Sequence, residues 1–216
     1  MNNQEIAEIL LEEKAVLIQP KQPFTFTSGM ISPIYVDNRI LISMPSSRKI
    51  ITDKLKARIE AVSQDPDLVL AGTATAAIPW TAFLAQDMNL PMVYVRPEKK
   101  QHGAGKQVEG KIKKGAKVVV VEDMLSTGGS SISSAQALKQ ECQAQVLAVV
   151  VIYSHELKVC KENFSQAKLE AHYLVGFDRV LDQAYQKNYI TEQEKKIAGE
   201  WKELGFEWAK RYALNN

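Results

Sequence analysis

The chain reads as an α/β protein built on an open, mostly parallel sheet flanked by helices. Three observations predict this. Residues 68–71, 92–95, 118–121 and 146–153 are short runs apolar at every position, the pattern of strands buried on both faces. Segments with apolar residues three and four apart separate several of these runs, and strands alternating with helices build parallel sheets. The clearest run, the four valines 118–121, leads into two acids and a glycine-rich turn. Sheets of this kind bind ligands there, outside the carboxyl ends of their strands.

Taken in order, Ile6, Ile9, Leu10, Val16 and Leu17 form one intermittent apolar face, which predicts a helix over 3–18 ended by Pro20. Residues 24–27 and 34–37 read as short strands around a turn at Ser28 and Gly29. Pro45 and Ser46 open a second helix reaching about Val62, with Ile50, Ile51, Leu55 and Ile59 as its apolar stripe; Asp65, Pro66 and Asp67 end it. The strand at 68–71 runs into Gly72, Thr73, Ala74 and Thr75, and a helix over 80–88 and a strand over 92–95 follow. A polar segment, 96–107, leads to a short strand at 108–110. The strand at 118–121, a helix over 133–141 and a strand over 146–153 complete the alternation. The tail, 191–213, carries Ile197, Trp201, Leu204, Phe206, Trp208 and Tyr212 among many charges and reads as one or two amphipathic helices packed on the body.

With 216 residues the chain is long enough for a substantial core, and the expectation is one domain over 1–216. A net charge of +2, from 27 basic and 25 acidic residues, leaves no nucleic-acid footprint. Cys142 and Cys160 are too few for a disulfide framework or a zinc site. No apolar stretch reaches the roughly 18 residues of a membrane span, and the N-terminal pattern lacks a signal-peptide core, so the default expectation is a cytoplasmic protein without membrane or nucleic-acid partners. His155 and His172 have no ligand-like partners in the sequence and are read as structural.

The chemistry is concentrated in 118–131. Glu122 and Asp123 stand at the end of a predicted strand, and Ser126, Thr127, Gly128, Gly129 and Ser130 form a turn before a helix. Unpaired N–H groups and the helix dipole both favour an anion at such a helix start. The acids repel phosphate, so they suit sugar hydroxyls or a metal bound to the ligand. No Gly-Lys-Ser/Thr follows at the Walker spacing, and the acids precede the glycines, which excludes a dinucleotide fingerprint. The pattern implies a phosphorylated sugar. The 96–107 segment holds Arg96, Lys99, Lys100, Lys106, His102 and two glycines, a set suited to closing over an anionic ligand.

These segments resemble the type I phosphoribosyltransferases, in which a strand, two acids and a Thr/Ser-Gly loop bind 5-phosphoribosyl 1-diphosphate. Phe24 to Gly29, Ser32 to Arg39, Gly72 to Ala76, Arg96 to Gly103 and Gln107 to Gly110 are ordered as in the orotate phosphoribosyltransferase family, so the resemblance extends over nearly the whole chain. It implies a small hood formed largely by 1–40. It also implies that Glu122 and Asp123 hold the ribose hydroxyls, that Ser126, Thr127, Gly128, Gly129 and Ser130 cradle the 5′-phosphate, and that Met124 and Leu125 belong to the same phosphoribosyl diphosphate-binding stretch. Ser126 would also touch orotate. Arg96, Lys100 and His102 match a catalytic loop reaching the diphosphate in the partner subunit's site, so a homodimer with shared sites is implied. Mg²⁺ is the implied cofactor, held mainly by the substrate rather than by a protein metal site. Thr73 to Thr75 match a loop with a non-proline cis peptide. Four positions depart from the pattern: Pro97, Thr27 and Ala76 replace lysines of some relatives, and Ala77 replaces a common glycine. No clear arginine follows the 146–153 strand, which leaves Arg39 as a candidate for the orotate carboxylate. A purine phosphoribosyltransferase would share 122–130 but lack the Phe24 to Arg39 signature. A ligand-sensing regulator of the same fold would need a nucleic-acid-binding module.

Overall fold

The computed structural model describes residues 4–26, 29, 31–98 and 106–212. The chain begins with α1 (Gln4–Glu12), β1 (Val16–Ile18), β2 (Phe24–Thr25), β3 (Ile31–Ser32) and β4 (Ile34–Val36), then a 3-10 helix at Asn38–Ser43 and α2 (Pro45–Val62). An alternating section follows: β5 (Val69–Thr73), α3 (Ala77–Met88), β6 (Met92–Val95), β7 (Val108–Glu109), β8 (Lys117–Leu125), α4 (Gly129–Cys142), β9 (Gln145–Ser154), α5 (Lys158–Ala167), β10 (Ala171–Gly176) and α6 (Phe177–Gln186). The last elements are α7 (Glu192–Gly199), α8 (Trp201–Leu204) and α9 (Phe206–Tyr212).

Six strands form one sheet in the order β10-β9-β8-β5-β6-β7. All neighbours are parallel except β6 and β7. Val118 to Val121 are fully buried in the middle of this sheet, as strands covered on both faces require. The chain fills the sheet outward from β5 in one direction, then returns to the other side of β5 with β8. The strand order therefore reverses between β5 and β8, the switch point at which open α/β sheets leave a crevice. Gly72 pairs with Val121, so Thr73 and Glu122 leave the paired region at the same level. Gly72 has no room for a side chain, because an added Cβ would lie 2.6 Å from Thr81 Oγ1 and 3.2 Å from the Ala77 carbonyl; its absence lets α3 pack close on β5.

Several predicted boundaries move. The helix expected over 3–18 ends at Glu12, where Lys14 turns to a φ of 57°. Val16 to Ile18 instead pair antiparallel with Ile34 to Val36, because the β-branched ends of this segment find a strand partner 18 residues later. Helix α3 starts at Ala77 rather than residue 80, with Pro79 in its first turn, where a missing N–H costs nothing. Strand β8 does not stop before the acids but carries them to Leu125, and α4 starts at Gly129 rather than 133. The tail forms three short helices where one or two were expected; a capping box between Thr191 and Glu194 starts the first. Trp201 and Trp208 are fully buried, and Trp201 Nε1 donates to the Ile31 carbonyl at 3.1 Å. Among the described residues no helix is long and apolar enough to cross a membrane.

Candidate active site

The acid pair lies at the carboxyl end of the central strand β8. Glu122 is buried, and its Oε2 accepts hydrogen bonds from Ser130 Oγ at 3.1 Å and Ser131 Oγ at 2.9 Å. Its Oε1 accepts the backbone N–H of Asp123 at 3.2 Å. Burial raises the pKa of Glu122, and the neighbouring charge of Asp123 raises it further. Burial raises Asp123 as well, against its hydrogen bond with Glu122 and the nearby Arg39 charge, which lower it. Two adjacent desolvated carboxylates resist double ionisation, so the pair is poised to accept hydroxyl hydrogen bonds or a neighbouring cation.

The turn expected to hold phosphate wraps the start of α4. Gly128 caps the helix with a φ of 80°, a conformation for which glycine is the natural residue. An added Cβ at Gly128 would also meet the Phe164 ring, so α5 packs tightly beneath the turn. From the same helix, Asn163 Nδ2 donates to the Thr127 carbonyl at 2.9 Å. Ser126 is half-buried, whereas Thr127, Gly129 and Ser130 are exposed and accessible to a ligand. Met124 and Leu125 complete β8, with Leu125 buried and Met124 half-buried. Free N–H groups of this first turn, together with the dipole of a 14-residue helix, favour an anion here.

Across the switch point, Thr73 Oγ1 hydrogen-bonds Ser134 Oγ at 3.2 Å, tying the β5–α3 turn to α4. The peptide between Ala74 and Thr75 is cis, as the resemblance implied. Arg96 leaves the end of β6, and its backbone N–H donates to the Gln107 carbonyl at 3.0 Å. Gln107 Nε2 returns to the carbonyls of Arg96 and Pro97 at 3.0 and 3.3 Å. Glu141, in the last turn of α4, accepts the N–H groups of Gln107 and Val108 at 3.1 and 3.2 Å. Lys100, His102 and Thr27 lie outside the described residues. Arg96 Nη1 is 3.9 Å from Glu109 Oε1.

The segment before α2 reaches the acids too. Asn38, buried, donates from Nδ2 to the Asp123 carbonyl at 2.7 Å. Asn38 and Ser131 fall inside segments singled out from the sequence but have no role assigned there, and Ser134 and Asn163 carry no signal; the partners of all four lie between 9 and 85 residues away. Of the two histidines read as structural, His155 is buried between the rings of Tyr153 and Trp201, and burial lowers its pKa to about 3. His172 lies 3.5 Å from Glu170.

Comparison with known proteins agrees with this geometry. The family model described as Phosphoribosyl transferase domain matches residues 40–180. Orotate phosphoribosyltransferase of Enterococcus faecalis is 43% identical over 205 residues, covering 95% of this chain and 97% of the relative. Its counterpart in Listeria monocytogenes is 41% identical over 206 residues, with 95% and 98% covered. The crystal structure of orotate phosphoribosyltransferase from Aeropyrum pernix superposes with a TM-score of 0.72 at 30% identity, over 86% of this chain and 99% of that one. Leishmania donovani UMP synthase gives 0.76 at 26% identity, over 93% of this chain and 43% of that longer chain. An acid pair on the central strand, a helix-capping turn beside it and this breadth of likeness lead to one assignment: the chain belongs to the orotate phosphoribosyltransferase family of phosphoribosyltransferases.

Proposed function

We propose that the chain transfers the 5-phosphoribosyl group of 5-phosphoribosyl 1-diphosphate to N1 of orotate, giving orotidine 5′-monophosphate and diphosphate in pyrimidine biosynthesis. The observation that carries this reading is the Glu122–Asp123 pair, Glu122 buried and Asp123 half-buried, set directly before the α4 turn in a chain of this family. Glu122 and Asp123 accept hydrogen bonds from the ribose hydroxyls, and residues 126–130 cradle the 5′-phosphate, with Met124 and Leu125 completing the phosphoribosyl diphosphate-binding stretch. Ser126 also touches orotate. Arg96, Lys100 and His102 serve the diphosphate of the partner subunit's site, so the working unit is a homodimer. Residues 1–216 act as a single domain, with 1–40 contributing a hood and 191–216 packing on the body. A cytoplasmic location accompanies this reading, without nucleic-acid or membrane partners.

Mg²⁺ suits the donor set. Among the described residues no group of three or more His, Cys, Asp or Glu could hold a metal alone, yet the acid pair offers hard oxygens, and Mg²⁺ commonly combines one or two carboxylates with substrate oxygens. When bound, the ion neutralises charge on the diphosphate. In the reaction the C1–O bond breaks first and its electron pair leaves with diphosphate, so positive character builds at C1. The acid pair favours that charge while it orients the ribose, and Arg96, Lys100 and His102 stabilise the departing diphosphate. Orotate N1 attacks from the opposite face and inverts C1 without a covalent enzyme intermediate, its proton passing to solvent.

Loss of orotate absorbance in the presence of phosphoribosyl diphosphate and Mg²⁺ tests the reading; well-folded protein that consumes no orotate would overturn it. Lys100→Ala is expected to lower kcat by about 100-fold or more, in line with the loss of a transition-state charge contact. An unchanged kcat at saturating substrate would remove Lys100 from the chemistry.

A further inference from the structure

We propose that Arg39 binds the carboxylate of the acceptor, held ready for it by Asp37 and Asn38; this rests on the reading of orotate as acceptor. Orotate is a planar acid whose carboxylate is adjacent to the nitrogen that attacks, so a site that selects it needs a fixed cationic partner beside the reacting sugar. A guanidinium suits that task better than an ammonium, because its planar fork matches both oxygens of a carboxylate at once.

The geometry around Arg39 is that of such a fork prepared on one side and left open on the other. Asp37 caps the 3-10 helix and accepts the Arg39 backbone N–H at 3.1 Å. Its two carboxylate oxygens then take Arg39 Nε at 2.7 Å and Nη2 at 2.8 Å. These contacts use the lateral edge of the guanidinium. Of its five N–H groups three remain, and two of these, one on each Nη, point off the end edge and match the two oxygens of a carboxylate. The Arg39 side chain is 63% exposed while that of Asp37 is 20% exposed, so the fork is fixed at its base and accessible at its end.

An exposed ion pair between near neighbours has by itself an ordinary reading as surface decoration. Asn38 separates the two readings. It is 1% exposed and spends its Nδ2 on the carbonyl of Asp123, so the residue between the partners of the ion pair is fastened to the acid pair itself. Its Oδ1 is buried without a protein partner, a costly arrangement that placement of this short segment against the ribose end would justify. The charge of Arg39 is also felt at Asp123. At the end of the adjacent strand β9, by contrast, His155 is buried and Glu156 spends its carboxylate on the Tyr173 hydroxyl and the Asp178 N–H. Neither supplies a cation to the acceptor.

The test is the Michaelis constant of each substrate in wild type, Arg39→Ala and Arg39→Lys, with melting temperature as a check on folding. Arg39→Ala is expected to raise the orotate KM about 30- to 100-fold, to leave the phosphoribosyl diphosphate KM within about two-fold, and to regain part of the orotate affinity on addition of millimolar guanidinium. Arg39→Lys, which keeps the charge but loses the fork, should fall between. An unchanged orotate KM in Arg39→Ala, or KM values for both substrates rising together, would overturn the assignment. Wild type that consumes no orotate would instead overturn the proposed reaction, so the two failures are distinct.

Discussion

Replacing Gly128 by alanine tests how the turn before α4 is held. The added Cβ would lie 2.5 Å from Phe164 Cε2, 3.0 Å from Cδ2 and 3.3 Å from Cys160 Sγ. Carbon atoms settle at about 3.5–4.0 Å, so the ring must retreat by roughly an ångström into a packed interface. Overpacking of that order costs about 1–3 kcal/mol. A side chain at a φ of 80° adds about 1–2 kcal/mol, because Cβ then crowds the following carbonyl. The sum is a destabilisation of about 2–5 kcal/mol, to be read from the midpoint of urea unfolding at constant slope. The steric part has a partner and the backbone part does not. Phe164→Leu combined with Gly128→Ala should therefore recover about 1 kcal/mol or more relative to the sum of the single variants, leaving the backbone cost in place. A Gly128→Ala midpoint equal to wild type, or a double variant that is simply additive, would refute the contact between α5 and the turn.

Two further outcomes follow from the same site. Burial lifts Glu122 from its ordinary value near 4.5 to about 8, so the folded chain keeps a proton that the unfolded chain has released. That contribution to stability is fully present below about pH 4.5 and is lost as pH rises through about 8; without ligands, wild type should lose melting temperature over this window relative to Glu122→Gln, and parallel profiles would contradict the shift. Glu141→Ala leaves the N–H groups of Gln107 and Val108 without their acceptor. It should cost about 1–2 kcal/mol and speed hydrogen exchange at those two amides, whereas unaltered exchange there would mean that the carboxylate does not hold them.

The parts of the molecule legible from sequence are those whose signal is local. Four consecutive valines can hardly be anything but a buried strand, and the acids and glycines after them mark the site because their chemistry travels with the chain. The sequence pattern places the start of α4 four residues late because its first turn is polar. Ser131 is buried there only because its hydroxyl reaches a carboxylate nine residues back. Val16 and Leu17 continue the apolar spacing of α1, and nothing nearby announces that Ile34 to Val36 will claim them as a strand. Between β9 and the tail, α5 buries only Cys160 and Phe164, four residues apart, too few apolar positions to mark a helix among its polar neighbours. In α6 the stripe Phe177, Val180, Leu181, Ala184 has helical spacing, but no uniformly apolar strand frames it, since half of β10 is only partly buried. Asn38 is the furthest from legibility, because an asparagine before a helix ordinarily signals a solvated turn rather than a buried tie to a strand 85 residues on.

The bond from Trp201 to the Ile31 carbonyl has a consequence for a chain still being made. Its two ends are 170 residues apart, and Gln183 grips Glu8 across 175. At a synthesis rate of about 5–20 residues per second, residues near 31 emerge roughly 10–30 s before their anchor exists. The β2–β3 pair, two residues on each side, is too short to stand alone in the meantime. The parallel sheet can therefore assemble on the ribosome in chain order, while the first-made segment waits for the last-made helices. A nascent chain stopped before Trp201 carries its acid pair and the glycine turn before α4 complete, yet lacks the tryptophan that fastens Ile31 in the finished protein.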